Sequence, residues 1–390
     1  MTEKNKPLEC FAGGSQGLLK KDRVKRFSIL KKDTKGFAQR ILNDDSITLL
    51  AGKFKSNVLR HVLFCADYLK IRKLFLTGET KIIHASLCKK HLLCSFCAHL
   101  RASKIIQHYL KIYKEVVKKQ KSYHMVFTIK DGSDLQERYN HLNKSINLLL
   151  SARRQGRGQM AKITSGVYAY EFKRGKKSGI WHPHIHMIGL TSEYIDFSKL
   201  RADWKEITKD SFEVHVQEFY GDSSDDILIK PFLEVFKYSL KLPSLADSDR
   251  IEAYRILYGR RLVNSFGDFR GFKEPELMDE ISDKDVFYID CIMRYTDDKG
   301  YQIMENDLIF SEQFKPVLQL QEMFKIHGEK MFTSMDNLAM DTLQEKTGFD
   351  FKDFIITMLR ENIKTTAEIE SYFKKQREKI KDTDLKQLPF

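Results

Sequence analysis

Trp181-His182-Pro183-His184-Ile185-His186-Met187-Ile188 is the stretch on which the reading of this chain turns. Its run of bulky apolar residues interrupted by histidine reads as a strand. Side chains alternate faces along a strand, so His184 and His186 project from the same face. Two imidazoles held a few ångströms apart on a rigid face form part of a divalent-metal site. Taken alone, two histidines in this spacing are more often the polar side of a half-buried strand, and the downstream sequence has to decide.

Upstream, Gly166 to Phe172 reads as a second strand paired with the first. Lys173-Arg174-Gly175-Lys176-Lys177-Ser178-Gly179 forms a long basic turn between them. Glu171 lies near the end of that second strand, where it can sit beside the histidines. A carboxylate would complete a mixed nitrogen and oxygen site suited to Mn²⁺ or Mg²⁺. His182 competes for the same place, because positions i, i+2 and i+4 of a strand share a face; ligand hardness favours Glu171.

Downstream, Pro231 to Lys241 reads as a compact helix, with Pro231 suited to its first turn and Pro243 stopping it. Glu234, Tyr238 and Lys241 are four and three residues apart and share one helix face. After a metal strand, that face has a coherent meaning. A metal polarises a scissile phosphate, a tyrosine hydroxyl attacks it and becomes covalently linked, and a lysine offsets charge on the phosphoryl oxygens. A carboxylate beside the tyrosine activates water for a second cleavage.

Cys88, Cys94 and Cys97 follow the pattern C-x5-C-x2-C. Clustered thiols in a reducing compartment point to structural zinc rather than disulfides. Tetrahedral closure needs a fourth ligand. Cys65 is the first choice, with His91 or His99 as substitutes. Cys10 and Cys291 read as isolated.

The remaining chain is assigned around these motifs. Residues 1–60 read as a basic arm with a short helix, and Leu59 to Leu74 has apolar residues at helical spacing. Residues 98–120 are the clearest helix, with Ile106, Tyr109, Leu110, Tyr113, Val116 and Val117 at three- and four-residue steps. Tyr123 to Ile129 reads as a buried strand, 135–152 as a helix, the surroundings of Trp204 as another helix, and Phe212 to Val216 as a strand. Phe351 to Lys381 reads as two amphipathic helices broken near Asn362. The irregular alternation of strands and helices predicts an α+β fold, an antiparallel sheet flanked by helices. Its expected organisation is a basic N-terminal arm (1–60), a cysteine cluster with a long helix (61–120), a nicking domain (121–271) and an acidic, mostly helical C-terminal module (272–390).

The chain has 390 residues, 42% hydrophobic and 31% charged, with a net charge of +14. Residues 1–271 hold 50 Lys+Arg against 28 Asp+Glu, whereas residues 272–390 hold 17 against 25. A strongly basic first part implies a polyanionic partner, most simply nucleic acid. No run approaches the roughly 18 apolar residues of a membrane span, and Met1 to Pro7 lacks the apolar core of a signal peptide. A cytoplasmic protein with no membrane partner is expected.

These motifs together resemble the single-tyrosine plasmid rolling-circle replication initiators of the HUH endonuclease superfamily. The resemblance spans roughly Cys65 to Gly271. Cys88-Lys89-Lys90-His91-Leu92-Leu93-Cys94-Ser95-Phe96-Cys97 is similar to the family's cysteine motif, with Ser95 where proline is frequent. His182-Pro183-His184-Ile185-His186 is similar to its histidine motif, and Glu234-Val235-Phe236-Lys237-Tyr238-Ser239-Leu240-Lys241 to its tyrosine motif. Tyr258 to Leu262 and Gly267 to Phe269 resemble a further stretch, and Phe127-Thr128-Ile129 matches weakly.

The resemblance implies a five-stranded antiparallel sheet presenting the histidines centrally, and nicking of one strand at a double-strand origin. Tyr238 would hold the 5′-phosphate, the released 3′-OH would prime synthesis, and Glu234 would direct water at the end of the cycle. Implied partners are origin DNA, double- and single-stranded, with a host helicase and DNA polymerase; a homodimer stays open. The cations expected to meet DNA are Lys237, Arg174, Lys176, Lys177, Arg260 and Arg261. Relaxases and transposases with the same histidine motif are rivals, as is a zinc-stabilised origin-binding protein that does not cut. Relaxases usually place the tyrosine before the histidines, whereas here Tyr238 follows them.

Overall fold

The computed structural model describes residues 22–47, 55–74, 80–117, 120–175, 178–211, 213–219, 235–236, 242–271, 276–279 and 288–310, together with 353 and 357. In chain order the elements are helix α1 (Asp22–Leu42), helix α2 (Lys55–Leu63), strands β1 (Tyr68–Leu74) and β2 (Thr80–Ala85), helix α3 (Ser95–Val116), strand β3 (Lys121–Thr128) and helix α4 (Leu135–Arg154). There follow strands β4 (Ser165–Arg174) and β5 (Trp181–Thr191), helix α5 (Phe197–Thr208), strand β6 (Val214–Phe219), helix α6 (Asp247–Leu257) and strands β7 (Val263–Phe266), β8 (Tyr288–Thr296) and β9 (Gly300–Phe310). The fold class is α+β, as the sequence predicts. Among the described residues no helix is long and apolar enough to cross a membrane.

The chain divides into two compact units. One joins residues 1–66 to 87–277, and the other joins 67–86 to 278–390. The first unit is built on a five-stranded antiparallel sheet in the order β6-β3-β5-β4-β7, which puts the histidine strand β5 at the centre. Burial on both faces explains the near-continuous apolar reading of β4 and β5. On one face α3 packs Ile105, Ile106, Tyr109 and Tyr113 against Val167, Ala169, Ile188 and Leu190. The other face is covered by α4 and α5: Tyr139 meets the rings of Tyr170 and Phe172, and Trp204 packs on Phe127 with ring centroids 5.1 Å apart.

Helix starts follow side-chain chemistry. Asp134 Oδ1 accepts the amides of Gln136 and Glu137 to cap α4, and Asp196 Oδ1 accepts those of Ser198 and Lys199 to cap α5. Helix α1 is longer than a short segment at the end of an arm. Phe27, Lys31, Thr34, Phe37, Ala38 and Ile41 make a buried stripe at helical spacing, and Lys31 Nζ donates to the Leu63 carbonyl (2.7 Å) at the end of α2. Residues 1–21 lie outside the described residues.

Leu59 to Leu74 is not one helix. Helix α2 ends at Leu63, Ala66 takes a left-handed backbone (φ 57°), and β1 begins at Tyr68. From there burial alternates, Leu69 and Ile71 inside and Tyr68 and Lys70 partly outside, so a two-residue period replaces the helical one.

The second unit carries a four-stranded antiparallel sheet in the order β2-β1-β8-β9. Arg72 on β1 and Asp290 on β8 form a buried two-point ion pair (2.8 and 3.0 Å), and Lys70 Nζ adds a 3.4 Å contact. The mostly helical expectation for 272–390 therefore fails at 288–310, which are strands. Tyr295, Tyr301 and the alternating Ile289, Cys291 and Met293 have the period of a strand, and Gly300 (φ 72°) makes the turn between them. The helices expected over Phe351 to Lys381 fall almost wholly outside the described residues.

Candidate metal centre

Strand register builds the first centre. Antiparallel pairing places Glu171 of β4 directly opposite His184 of β5, with Ala169 opposite His186. Directly opposed residues share a face, so Glu171, His184 and His186 converge. Their ligating atoms all lie within 4.8 Å of one another, and all three residues are buried. Both histidines turn Nε2 to Oε2 of Glu171; the His186 contact is 3.1 Å and the His184 contact is shorter. Burial holds both imidazoles below the ordinary histidine range despite the Glu171 carboxylate, His186 to about 3. They are therefore neutral at neutral pH, the state in which imidazole ligates a metal. Two neutral nitrogens and one carboxylate suit a divalent cation of intermediate hardness.

His182 is engaged elsewhere. Its Nδ1 lies 2.6 Å from Asp131 Oδ1, in the loop after β3, and Ser178 Oγ donates to the other oxygen of that carboxylate. Of the two candidates for the third ligand, the structure thus groups Glu171 with the histidine pair.

His124 is a residue that the motifs did not single out. Its Nε2 is 3.1 Å from His186 Nδ1, and the two rings stack at 5.3 Å. A histidine bound to a metal through Nε2 needs its Nδ1 proton held, and a neutral His124 can accept it. The signal lay in the register rather than in a motif: β3 pairs Val126 with His186, which leaves His124 one step diagonal on the same face.

Four sulfurs form the second cluster. Cys65, Cys88, Cys94 and Cys97 lie within 4.8 Å of one another. The Cys65–Cys97, Cys88–Cys97 and Cys94–Cys65 sulfur separations are 3.5, 3.6 and 3.6 Å. Those are far beyond a disulfide bond and close to the roughly 3.8 Å edge of a tetrahedron with ~2.3 Å metal–sulfur bonds. Backbone amides of Cys88, Lys90 and Cys97 point at the sulfurs of Cys65, Cys88 and Cys94, as thiolates require.

Hydrogen bonding to Cys65 heads the causes that push the Cys88 and Cys97 thiols up. Burial alone would raise Cys94 too, but hydrogen bonds from the other three thiols and the Cys97 amide hold it well below the thiol range. Ala66 and Lys89, each directly after a cluster cysteine, have left-handed backbones (φ 57° and 56°), the kind of local strain that sites concentrate. Cys65 is the fourth member, as preferred from sequence. His99 is instead buried near Phe27 with its pKa lowered to about 3 by burial and by Arg26 and Arg23, and His91 is outside the group.

Of the tyrosine segment, Val235 and Phe236 are described. Both are fully buried in the cluster formed by α3 with Val167, Ala169 and Ile188, and Phe236 stacks on Tyr109 at 5.7 Å. This is the sheet face that carries the metal triad. Glu234, Lys237, Tyr238 and Lys241 lie outside the described residues, as do Lys176 and Lys177. The other cations expected at DNA each make bonds within the protein. Arg174 pairs with Asp249 and Glu252 and lies over Trp181 (4.1 Å). Arg260 bonds Ile256 O and Gln136 and lies over Tyr139, and Arg261 Nε donates to Val263 O.

Two groups able to hold a metal ion, a sheet-borne set of two histidines and a carboxylate and a set of four thiols, lie in one strongly basic unit. Comparison with known proteins supplies the class. The chain belongs to the Rep_1 replication protein family, whose model matches residues 79–314. That range holds the triad, three of the four cysteines and Tyr238. The chain is also similar to a protein named Protein rep from a Bacillus species, 22% identical over 266 residues, covering 58% of this chain and 83% of that one. No solved structure matches.

Proposed function

We propose that this replication protein is an HUH-type plasmid initiator that nicks one strand at a double-strand origin. The observation that carries the reading is that Glu171, His184 and His186 converge on the same sheet face as Phe236. One residue, Lys237, separates Phe236 from Tyr238, a reach of at most about 7 Å. In this reading Tyr238 Oη attacks the scissile phosphorus. The bond to the 3′-oxygen breaks, and the released 3′-OH primes a host DNA polymerase while a host helicase unwinds. The 5′-phosphate stays on Tyr238 as a phosphodiester.

Glu171, His184 and His186 would hold Mn²⁺ or Mg²⁺, which would supply Lewis acidity to the phosphate oxygens. Lys241 offsets their charge. Glu234, four residues before Tyr238 in sequence, takes a proton from the water that ends the cycle, so one tyrosine suffices. Cys65, Cys88, Cys94 and Cys97 would hold Zn²⁺, which would tie the end of α2 to the start of α3. That role would be structural, because a full set of four protein ligands leaves no open position.

The test is a denaturing gel of the protein with a single-stranded origin oligonucleotide and Mn²⁺. Wild type gives a covalent adduct and Tyr238→Phe gives none; an adduct in the variant overturns the assignment. Glu234→Ala keeps the adduct and loses the terminating hydrolysis. Metal analysis finds about one zinc per chain.

A further inference from the structure

A basic recess lies away from the metal triad, at the β7 edge of the five-stranded sheet. Asn147, Leu150, Arg153 and Arg154 of α4, Tyr168 of β4, Asn264, Ser265 and Phe266 of β7, and Arg270 line it, around a volume of about 160 Å³. Among the described residues no carboxylate lines it. Asp268, the acid nearest in sequence to Arg270, is turned to Ser165, whose Oγ donates to it at 2.6 Å.

The three arginines divide their roles. Arg153 is fixed: Nε donates to the Ile163 carbonyl (2.6 Å), Nη2 to that of Thr164, and the guanidinium lies 4.4 Å over the Phe266 ring. Burial first, then the neighbouring charges of Arg270 and Arg154, holds its pKa below the usual guanidinium range. Arg154 and Arg270 are exposed and have no acidic partner among the described residues. The carboxyl end of α4 favours cations within its last turn, where Arg153 and Arg154 both lie, but it does not account for Arg270. Arg270 adds a third positive charge to the lining of the recess, and a phosphodiester matches that concentration of charge.

We propose that this recess is a backbone-phosphate site for double-stranded DNA flanking the segment that is nicked. Duplex is favoured over the cleaved strand by position. Tyr168 and Asn264, paired across β4 and β7, point to the α4 side of the sheet, whereas Glu171 points to the α3 side. Tyr168 and Glu171 are also separated by roughly 10 Å along β4. Phosphates seated at Arg154 and Arg270 therefore belong to DNA outside the triad. Arginine and asparagine contacts to phosphate position a protein on a duplex without reading its sequence. The inference rests on the chain's being a replication protein and not on the tyrosine chemistry.

The experiment measures anisotropy of a fluorescein-labelled duplex of random sequence with the full chain, from about 50 to 200 mM salt. Arg154→Glu with Arg270→Glu weakens binding about tenfold or more and flattens the log–log salt slope by about two. The double lysine variant stays near wild type, because Lys also meets phosphate as a point charge. Adduct formation on a single-stranded oligonucleotide is unchanged in the glutamate variant. An unaltered slope and affinity in that variant, with a wild-type circular dichroism spectrum, overturns the proposal. So does equal loss of duplex binding and of adduct. If wild type forms no adduct the nicking reading fails, while the duplex measurement still decides the recess.

Discussion

At the scale of single residues, His124 is the most informative addition. His184, His186 and Glu171 were legible because their chemistry repeats along strands whose alternation is visible in sequence. His124 was not, because its meaning depends on cross-strand register, and a histidine inside a buried strand looks the same whichever neighbour it meets. Its Nε2 lies 3.1 Å from His186 Nδ1, so in the proposed site it would act through His186, by fixing which nitrogen of that ring carries the proton. His124→Phe keeps a ring of similar size but removes the acceptor. Mn²⁺ affinity in a calorimetric titration should fall about 10- to 100-fold, the usual cost of losing such a partner, while His124→Gln, which retains an acceptor, recovers part of it. Wild-type affinity in the phenylalanine variant would show that the contact is packing only.

At the scale of elements, period predicted helices well where one face was buried and poorly where the chain changed direction. Helices α3 and α4 came through because their apolar stripes run unbroken for five turns or more. The stretch from Leu59 misled because Val62, Leu63, Leu69 and Ile71 satisfy a helical spacing across the Ala66 turn that separates α2 from β1. No sequence signal showed how α6 meets the cysteine loop. Arg250 does this: it is 1% exposed, stacks 3.8 Å over Phe37 of α1, donates to the Leu93 carbonyl between Cys88 and Cys94, and approaches Asp33 at 3.7 Å. Burial lowers its pKa to about 10, and it remains charged at neutral pH. Arg250→Ala should lower the free energy of urea unfolding by about 2 kcal/mol or more, since a buried carbonyl loses its donor and a cavity opens beside Phe37. A loss below about 0.5 kcal/mol, the range of an ordinary surface change, would mean that the loop is held by its sulfurs alone.

At the scale of the molecule, the charge asymmetry was legible, but the division of the chain was not, because one unit interrupts the other. Residues 67–86 leave the first unit between two cysteines of one cluster and pair β1 with β8, more than 200 residues later. Composition along the chain cannot reveal an excursion whose two ends meet in space. They do meet: the Cys88 amide lies 3.4 Å from Cys65 Sγ. Residues 1–66 and 87–277 hold the five-stranded sheet, both metal-ligand groups and the basic recess, and carry 47 Lys+Arg against 28 Asp+Glu. A chain that replaces 67–86 by a short Gly-Ser linker and stops at residue 277 should therefore fold with the full zinc content of the parent. Freed of the net acidic remainder, it should bind random duplex at least as tightly and with an undiminished salt slope, because every phosphate-facing cation identified is retained. Circular dichroism, metal analysis and anisotropy read the three outcomes. A zinc-free or molten product would show that the four thiols need the second unit to be brought together, and a flatter salt slope would place DNA contacts in the part removed.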